Sequence, residues 1–229
     1  MNKISIIIPV LNEEENIPQL LHHLKAQSTT NIIENIIIVD GGSQDKSVLA
    51  AKKEGVTVLE SNKGRAKQMN LGAKHAKGKI LYFLHVDSFP PKNFDQYIIN
   101  EINKGNEAGC FRLKFNHNHW WLRLASWLTQ FSWRACRGGD QSQFITKTLF
   151  NDIGGFDESY NIYEDNILIN ELYKRKQFTV INKKIVTSAR RYKEHGIWKL
   201  QYHFWAIYVK RWLGASSNEL YDYYKKYIA

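Results

Sequence analysis

The stretch "ISIIIPVLNEEENIPQLLHHL", residues 4–24, decides the fold. Its first part is a β-branched run closing at Pro9, the pattern of a buried strand. Its second part sets Ile17, Leu20, Leu21 and Leu24 three and four residues apart, on one helical face, with Asn12 placed to cap that helix. The alternation continues. "IIENIIIVD" (32–40) reads as a second strand ending at Asp40, and "GGS" (41–43) turns the chain into a short helix capped by Ser43 or Asp45. "VTVLES" (56–61) is a third strand, 64–76 is helical, and "KILYFLHVD" (79–87) is a fourth strand. Strands alternating with helices imply parallel βαβ units, hence an α/β protein with a mainly parallel sheet covered on both faces.

In such sheets ligands bind outside the carboxyl ends of the strands. Pro9, Asp40, His85 and Asp87 all fall at predicted carboxyl ends. In extended chain, residues i and i+2 point to one side, so His85 and Asp87 are expected to face the same ligand. An Asp closing a strand can simply cap the next helix. Two apolar strands closing in Asp form a constellation that packing does not require.

The chain has 229 residues, 43% apolar and 24% charged, with no repeat and no Pro/Gly/Ser-rich linker. That composition fits one continuous folded unit. The net charge of +10 suits an anionic partner: nucleic acid, a membrane face or a phosphorylated small molecule. Cys110 and Cys136 form neither a zinc motif nor a disulfide framework. The N-terminus enters an apolar strand at once, and no run reaches the ~18 apolar residues of a spanning helix. A cytoplasmic protein is expected, with possible peripheral contact at the inner membrane face.

The second half is less regular. "EAGCFRLKF" (107–115) reads as a strand, followed by the aromatic segment "HWWLRLASWLTQFSW" (119–133). "GGDQSQFITKTLFNDIGGF" (138–156) reads as strand, helix and glycine turn, and a helix begins near Tyr163 with Glu164 and Asp165 in its first turn. Acidic first turns are explained by the helix dipole alone. The alternative is that one of these carboxylates deprotonates an attacking hydroxyl.

No G-x-x-x-x-G-K-[ST] loop, G-x-G-x-x-G turn or G-x-S-x-G elbow is present, which disfavours a P-loop enzyme, a Rossmann dehydrogenase and a serine hydrolase. An acidic pocket edged by cations remains. Asp87 suits a hard cation such as Mg²⁺. Lys63, Arg65 and Lys67 follow the third strand, and Arg190 and Arg191 carry the planar fork that matches phosphate.

The strings "SIIIPVLNEEENI", "IIVDGGSQD", "GRAKQMNLGA", "ILYFLHVD", "GGF" and "ED", in this order, resemble family 2 glycosyltransferases, inverting enzymes of the glycosyltransferase-A fold. "GDQ" and "TSARRY" resemble a narrower bacterial subgroup sometimes described as linked to arsenosugar biosynthesis. The resemblance covers residues 3 to about 192. It implies that Pro9, Leu11 and Glu13 line a nucleotide pocket, that Asp40 contacts the base with Gly41 and Arg65 alongside, and that His85-Val86-Asp87 stands at the family's Asp-x-Asp motif. Asp87 is then the ligand of Mg²⁺ or Mn²⁺. Asp165 is the base that activates the acceptor hydroxyl, with Glu164 as its neighbour. Arg190 or Arg191 neutralises the departing diphosphate, and Gly139, Asp140 and Gln141 lie near sugar or acceptor. The implied partners are a UDP- or GDP-sugar donor and an acceptor that is lipid-linked in one reading, with no nucleic acid.

The sequence departs from the family in three places. His85 replaces an acidic residue, Gly41 replaces the common second Asp, and the Gln-x-x-Arg-Trp motif of processive synthases is absent. A single-addition enzyme is expected. The implied organisation is a catalytic domain over 1–192, divided into a nucleotide half (1–105) and an acceptor half (106–192), with a C-terminal helical extension over 193–229.

That extension contains "GIWKLQYHFWAIYVKRWLG" (196–214), whose apolar residues cover roughly 240° of a helix and leave Lys199, His203 and Lys210 as the polar strip. Residues 119–134 have their own face of Trp120, Leu124, Trp127, Leu128 and Phe131. These helices are either packed on several sides or lie in a membrane interface with Trp and Tyr at headgroup level. Two rival functions remain. A nucleotidyltransferase would need a basic Gly-rich N-terminal loop where "PVLNEEEN" offers acids. A basic nucleic-acid binder would meet repulsion from the acidic strand ends.

Overall fold

The computed structural model describes residues 2–29 and 31–228. The chain runs β1 (Ile4–Val10), α1 (Asn16–Gln27), β2 (Ile33–Asp40), α2 (Ser47–Lys53), β3 (Thr57–Glu60), α3 (Arg65–His75), β4 (Ile80–Phe83), β5 (Ser88–Phe89), α4 (Phe94–Asn103) and β6 (Ala108–Phe115). It continues through α5 (Trp120–Leu128), two 3₁₀ turns, β7 (Gln143–Thr146), α6 (Lys147–Ile153), α7 (Glu164–Lys174), β8 (Thr179–Thr187), α8 (Arg190–His195), α9 (Ile197–Trp212) and α10 (Ser217–Tyr227).

One sheet of order β3-β2-β1-β4-β7-β6-β8-β5 forms the centre. β1, β2, β3 and β4 are mutually parallel, β6 and β8 are parallel, and β7 runs antiparallel to both its neighbours. Strand periodicity divides the core in two. Ile4, Ile6, Ile8 and Val10 of β1 face α1 with Ile80 and Tyr82 of β4, whereas Ile7, Leu81 and Phe83 face the opposite layer with Met69 of α3 and Leu168 of α7.

Pro9 lies inside β1, paired with Val39, so the strand does not end there. Pairing with β4 stops at Ile7, so the missing Pro9 N–H costs no ladder bond on that side. Asn12 does not cap α1. It sits at φ +55°, donates its N–H to Ser43 Oγ at 2.8 Å and accepts from Gln44 N at 2.8 Å, tying the loops after β1 and β2 together. Ser43 does not cap α2 either, but Asp45 Oδ1 accepts from Ser47 N in that helix's first turn.

The fourth strand is shorter than its apolar run. β4 stops at Phe83, and the N–H of Ser88 bonds back to His85 O at 3.1 Å, which makes residues 85–88 a turn. The extended-chain argument for His85 and Asp87 therefore fails, because Leu84 and Val86 are buried by packing around a turn.

A third core cluster joins Ile162 to Leu200, Ile207 and Leu220, seating α9 and α10 beside the start of α7. His203 belongs to this inner side, not to an outer polar strip: its Nδ1 meets Tyr223 Oη at 2.9 Å and its ring stacks on Tyr227. Among the described residues no helix is long and apolar enough to cross a membrane.

Candidate active site

Seven segments meet at the carboxyl edge of the sheet: the loops after β1 and β2, the start of α3, the turn after β4, the 3₁₀ turn at 139–141, the start of α7 and the segment after β8. Two pairings bring the distant ones together. β5 pairs with β8 (Ser88 opposite Thr187), and Ser188 N bonds to Asp87 O at 3.2 Å, so the turn carrying Asp87 lies against the segment carrying Arg190 and Arg191.

The loop after β2 is self-contained. Asp40 is 4% exposed, and its carboxylate accepts from Gly42 N, Ser43 N and the Ser43 hydroxyl. Gly41 is buried beneath Gln68, whose Nε2 donates to Val10 O and Val39 O at the ends of β1 and β2.

The start of α7 is built differently. Glu164 is 1% exposed; Arg65 Nε stands 3.4 Å from its Oε1 without hydrogen-bond geometry, and both carboxylate oxygens lack a partner. Burial pushes the Glu164 carboxyl up to about 7, against the pull of Arg65 and with the help of neighbouring Asp165. Asp165 accepts no side-chain hydrogen bond from the described residues, and its nearest cation is Arg65 Nη1 at 3.9 Å. A Cβ on Gly139 would lie 2.0 Å from Asp165 Oδ2 and 3.2 Å from His85 Cε1. Only glycine lets the 139–141 turn approach this carboxylate so closely. Tyr163, preceding the helix, adopts φ +71° and packs edge-on against Tyr208, while Tyr208 Oη and Arg134 Nη2 both bond to Asn166. A bulky residue at positive φ is strained backbone, of the kind that collects at functional sites.

On the turn after β4, His85 Nδ1 stands 3.6 Å from Asp140 Oδ1. Burial lowers the His85 pKa, but the facing Asp140 carboxylate and the nearby Asp165 outweigh it, so the ring is held above its ordinary value. Asp87 is pushed up, first by burial and then by Asp140 and Glu13, with His85 and Arg190 pulling the other way. Its carboxylate accepts no side-chain hydrogen bond from the described residues. Arg190 Nη2 reaches Glu13 Oε1 at 3.1 Å, and Arg191 Nη1 reaches Tyr224 Oη of α10 at 2.7 Å.

Of the residues expected from sequence, Glu13, Arg65, His85, Asp87, Asp140, Glu164, Asp165, Arg190 and Arg191 are thus electrostatic neighbours. Pro9, Gly41 and Val86 are buried backbone formers at the same edge, and Leu11 is half-buried there. Gln141 is 4% exposed and fully engaged within the protein, with Arg137 Nη1 at 2.6 Å and Cys136 O at 2.6 Å. Sequence reasoning passed over Arg137. Buried at 2% exposure, it also donates to Thr129 O and Phe131 O and so anchors the turn that carries Gly139 and Asp140. An arginine beside "GGDQ" gives no local sign that its partners lie in the aromatic segment. Gln68 was equally hidden, inside the helical string "GRAKQMN".

The sequence profile described as glycosyl transferase family 2 matches residues 5–169. An undecaprenyl-phosphate 4-deoxy-4-formamido-L-arabinose transferase of Proteus mirabilis (strain HI4320) is 24% identical over 200 residues, covering 83% of this chain and 58% of its own length. The chain therefore spans about three fifths of that relative. Among solved structures, S. aureus TarS 1-349 in complex with UDP superposes with a TM-score of 0.65 at 18% identity, covering 82% of this chain and 60% of that one. Glucosyl-3-phosphoglycerate synthase from Mycobacterium tuberculosis, in complex with Mn²⁺, UDP and phosphoglyceric acid, gives 0.61 at 16% identity, covering 85% and 74%. These likenesses identify the fold as glycosyltransferase-A.

Proposed function

The chain belongs to glycosyl transferase family 2, and from that premise we propose that it moves a sugar from a nucleoside-diphosphate donor to an acceptor hydroxyl by single displacement. The observation that carries this reading is Asp165. It is a carboxylate in the first turn of α7, free of hydrogen bonds from the described residues, and linked through His85 to Asp87 and Arg190. In the proposed step Asp165 takes the proton of the acceptor hydroxyl as its oxygen attacks the anomeric carbon. The bond from that carbon to the diphosphate oxygen breaks on the opposite side, and its electron pair leaves with the nucleotide. Attack opposite the leaving group inverts the anomeric centre.

The departing diphosphate needs charge stabilisation as it forms. In this reading Arg190 and Arg191 take that part, exchanging their present partners Glu13 and Tyr224 for phosphate oxygens. Asp87 would hold Mg²⁺ or Mn²⁺. No group of three or more His, Cys, Asp or Glu able to hold a metal occurs among the described residues, and Asp87 has Asp140 and Glu13 as its carboxylate neighbours. One carboxylate fits a hard cation that completes its shell with phosphate oxygens and waters. Bound there, the cation supplies charge neutralisation at the diphosphate. Residues 1–105 form the nucleotide half of this reading and 106–192 the acceptor half, with 193–229 as an extension. UDP in the solved neighbours supports a UDP-sugar donor, and the Proteus relative supports a lipid-linked acceptor.

Product stereochemistry tests the proposal. Transfer from UDP-glucose or UDP-N-acetylglucosamine, α-linked at the anomeric carbon, is expected to give a β-linked product by NMR. An α-linked product overturns single displacement by Asp165.

A further inference from the structure

The outer surface of α5 and α9 has no role in the chemistry above. All seven tryptophans of the chain lie in α5, the segment after it and α9, and six of them are exposed: Trp120, Trp127, Trp133, Trp198, Trp205 and Trp212. The two helices present one continuous face. Trp198 lies 5.6 Å from Trp120 and 5.4 Å from Trp121 between ring centroids, Trp205 lies 5.6 Å from Trp121, and Trp121 Nε1 donates to Gln201 Oε1. Trp212 is 85% and Leu213 73% exposed at the far end of α9. Packing on several sides leaves this much bare aromatic surface unexplained, whereas contiguous apolar patches mark interaction sites.

Charge selects the occupant. Neither α5 nor α9 contains an Asp or Glu, and together they carry Arg123, Lys199, Lys210 and Arg211. Arg123 and Lys199 are exposed, whereas the Lys210 ammonium lies over the Tyr223 ring of α10. Two copies of such a face would set like charges against each other, whereas an anionic lipid surface offers both the counter-charge and an apolar layer for the indoles. We propose that the α5–α9 face docks this protein on an anionic bilayer surface.

The docked face adjoins the proposed base. Arg134, after α5, and Tyr208, on α9, both bond to Asn166, the residue after Asp165. Docking therefore sets the start of α7 close to the lipid surface, where a lipid-linked acceptor is presented. This last point rests on the transferase reading; the docking itself does not, and its test uses no nucleotide or sugar.

The experiment is sedimentation of the full chain with phosphatidylcholine vesicles, with and without phosphatidylglycerol, and with bromolipid quenching of tryptophan fluorescence. Partition at least tenfold stronger on the anionic vesicles, with quenching, is expected. Trp127→Ser combined with Trp212→Ser lowers that partition at least tenfold, while Leu49→Ser, at a position on α2 as exposed as Trp127, leaves it unchanged. Absence of binding, equal binding to neutral vesicles, or undiminished binding of the double variant overturns the proposal. So does a dimer of the free chain that the double variant dissolves. Calorimetric binding of UDP, measured separately, keeps a failure of docking distinct from a failure of the transferase reading.

Discussion

Two buried carboxylate regions at the same sheet edge are built in opposite ways. At the end of β2, Asp40 receives three hydrogen bonds from its own loop. At the start of α7, Glu164 has two orphaned oxygens and Asp165 accepts no hydrogen bond from the described residues, although both are at most 9% exposed. A buried polar group left unpaired costs stability, so the protein carries the α7 arrangement at a loss that the β2 loop avoids. The β2 carboxylate is held by its own loop, whereas the α7 carboxylates are left without hydrogen bonds from the described residues.

Substitutions at the two regions should therefore separate activity from stability. The largest effect is expected at Asp165. Asp165→Asn lowers the transfer rate by about 10²–10⁴-fold while the melting temperature moves by less than about 2 °C; a large fall in melting temperature would place Asp165 with the scaffold. Gly139→Ala comes next, because its Cβ would meet the Asp165 carboxylate at 2.0 Å. Displacement of the base by about 1 Å predicts a loss of about 10²-fold in rate, and normal turnover would contradict the close approach. Asp40→Ala reverses the pattern. It removes about 3 kcal/mol of stability, roughly 6–12 °C in melting temperature, with a smaller effect on rate than either substitution near α7.

The last effect, at Glu164, depends on pH. Its carboxyl is raised from 4.5 to about 7 in the folded chain, so the folded state keeps a proton that the unfolded chain has lost. Stability then falls as pH rises from about 4.5 to about 7 and levels off above, by at most about 3 kcal/mol. Glu164→Gln is expected to flatten that part of the stability–pH curve, and an unchanged slope would show that Glu164 ionises normally.

The legible parts of the molecule were those governed by local periodicity. β1 to β3, α1, α3 and the start of α7 follow from β-branched runs and three-to-four spacing, and they carried Asp40, Arg65, Glu164 and Asp165 to one edge. Features that depend on distant partners were not legible. Asn12 has the residue type of a helix cap, but its partners lie 31 and 32 residues away. The apolar run through Val86 hid a turn, because burial of Leu84 and Val86 does not require extended backbone. His203 looked polar and outward until α10 folded back to give it Tyr223 and Tyr227.

The central claim is that the cluster holding Asp87 and Asp165 binds a nucleoside diphosphate with a divalent cation at Asp87. Calorimetric titration of UDP into the wild-type chain and into Asp87→Ala, each with and without Mn²⁺, tests it most directly. Saturable binding that Mn²⁺ strengthens in the wild type, and that Mn²⁺ no longer strengthens in Asp87→Ala, is the predicted result. Identical Mn²⁺ dependence in the two proteins would contradict the account.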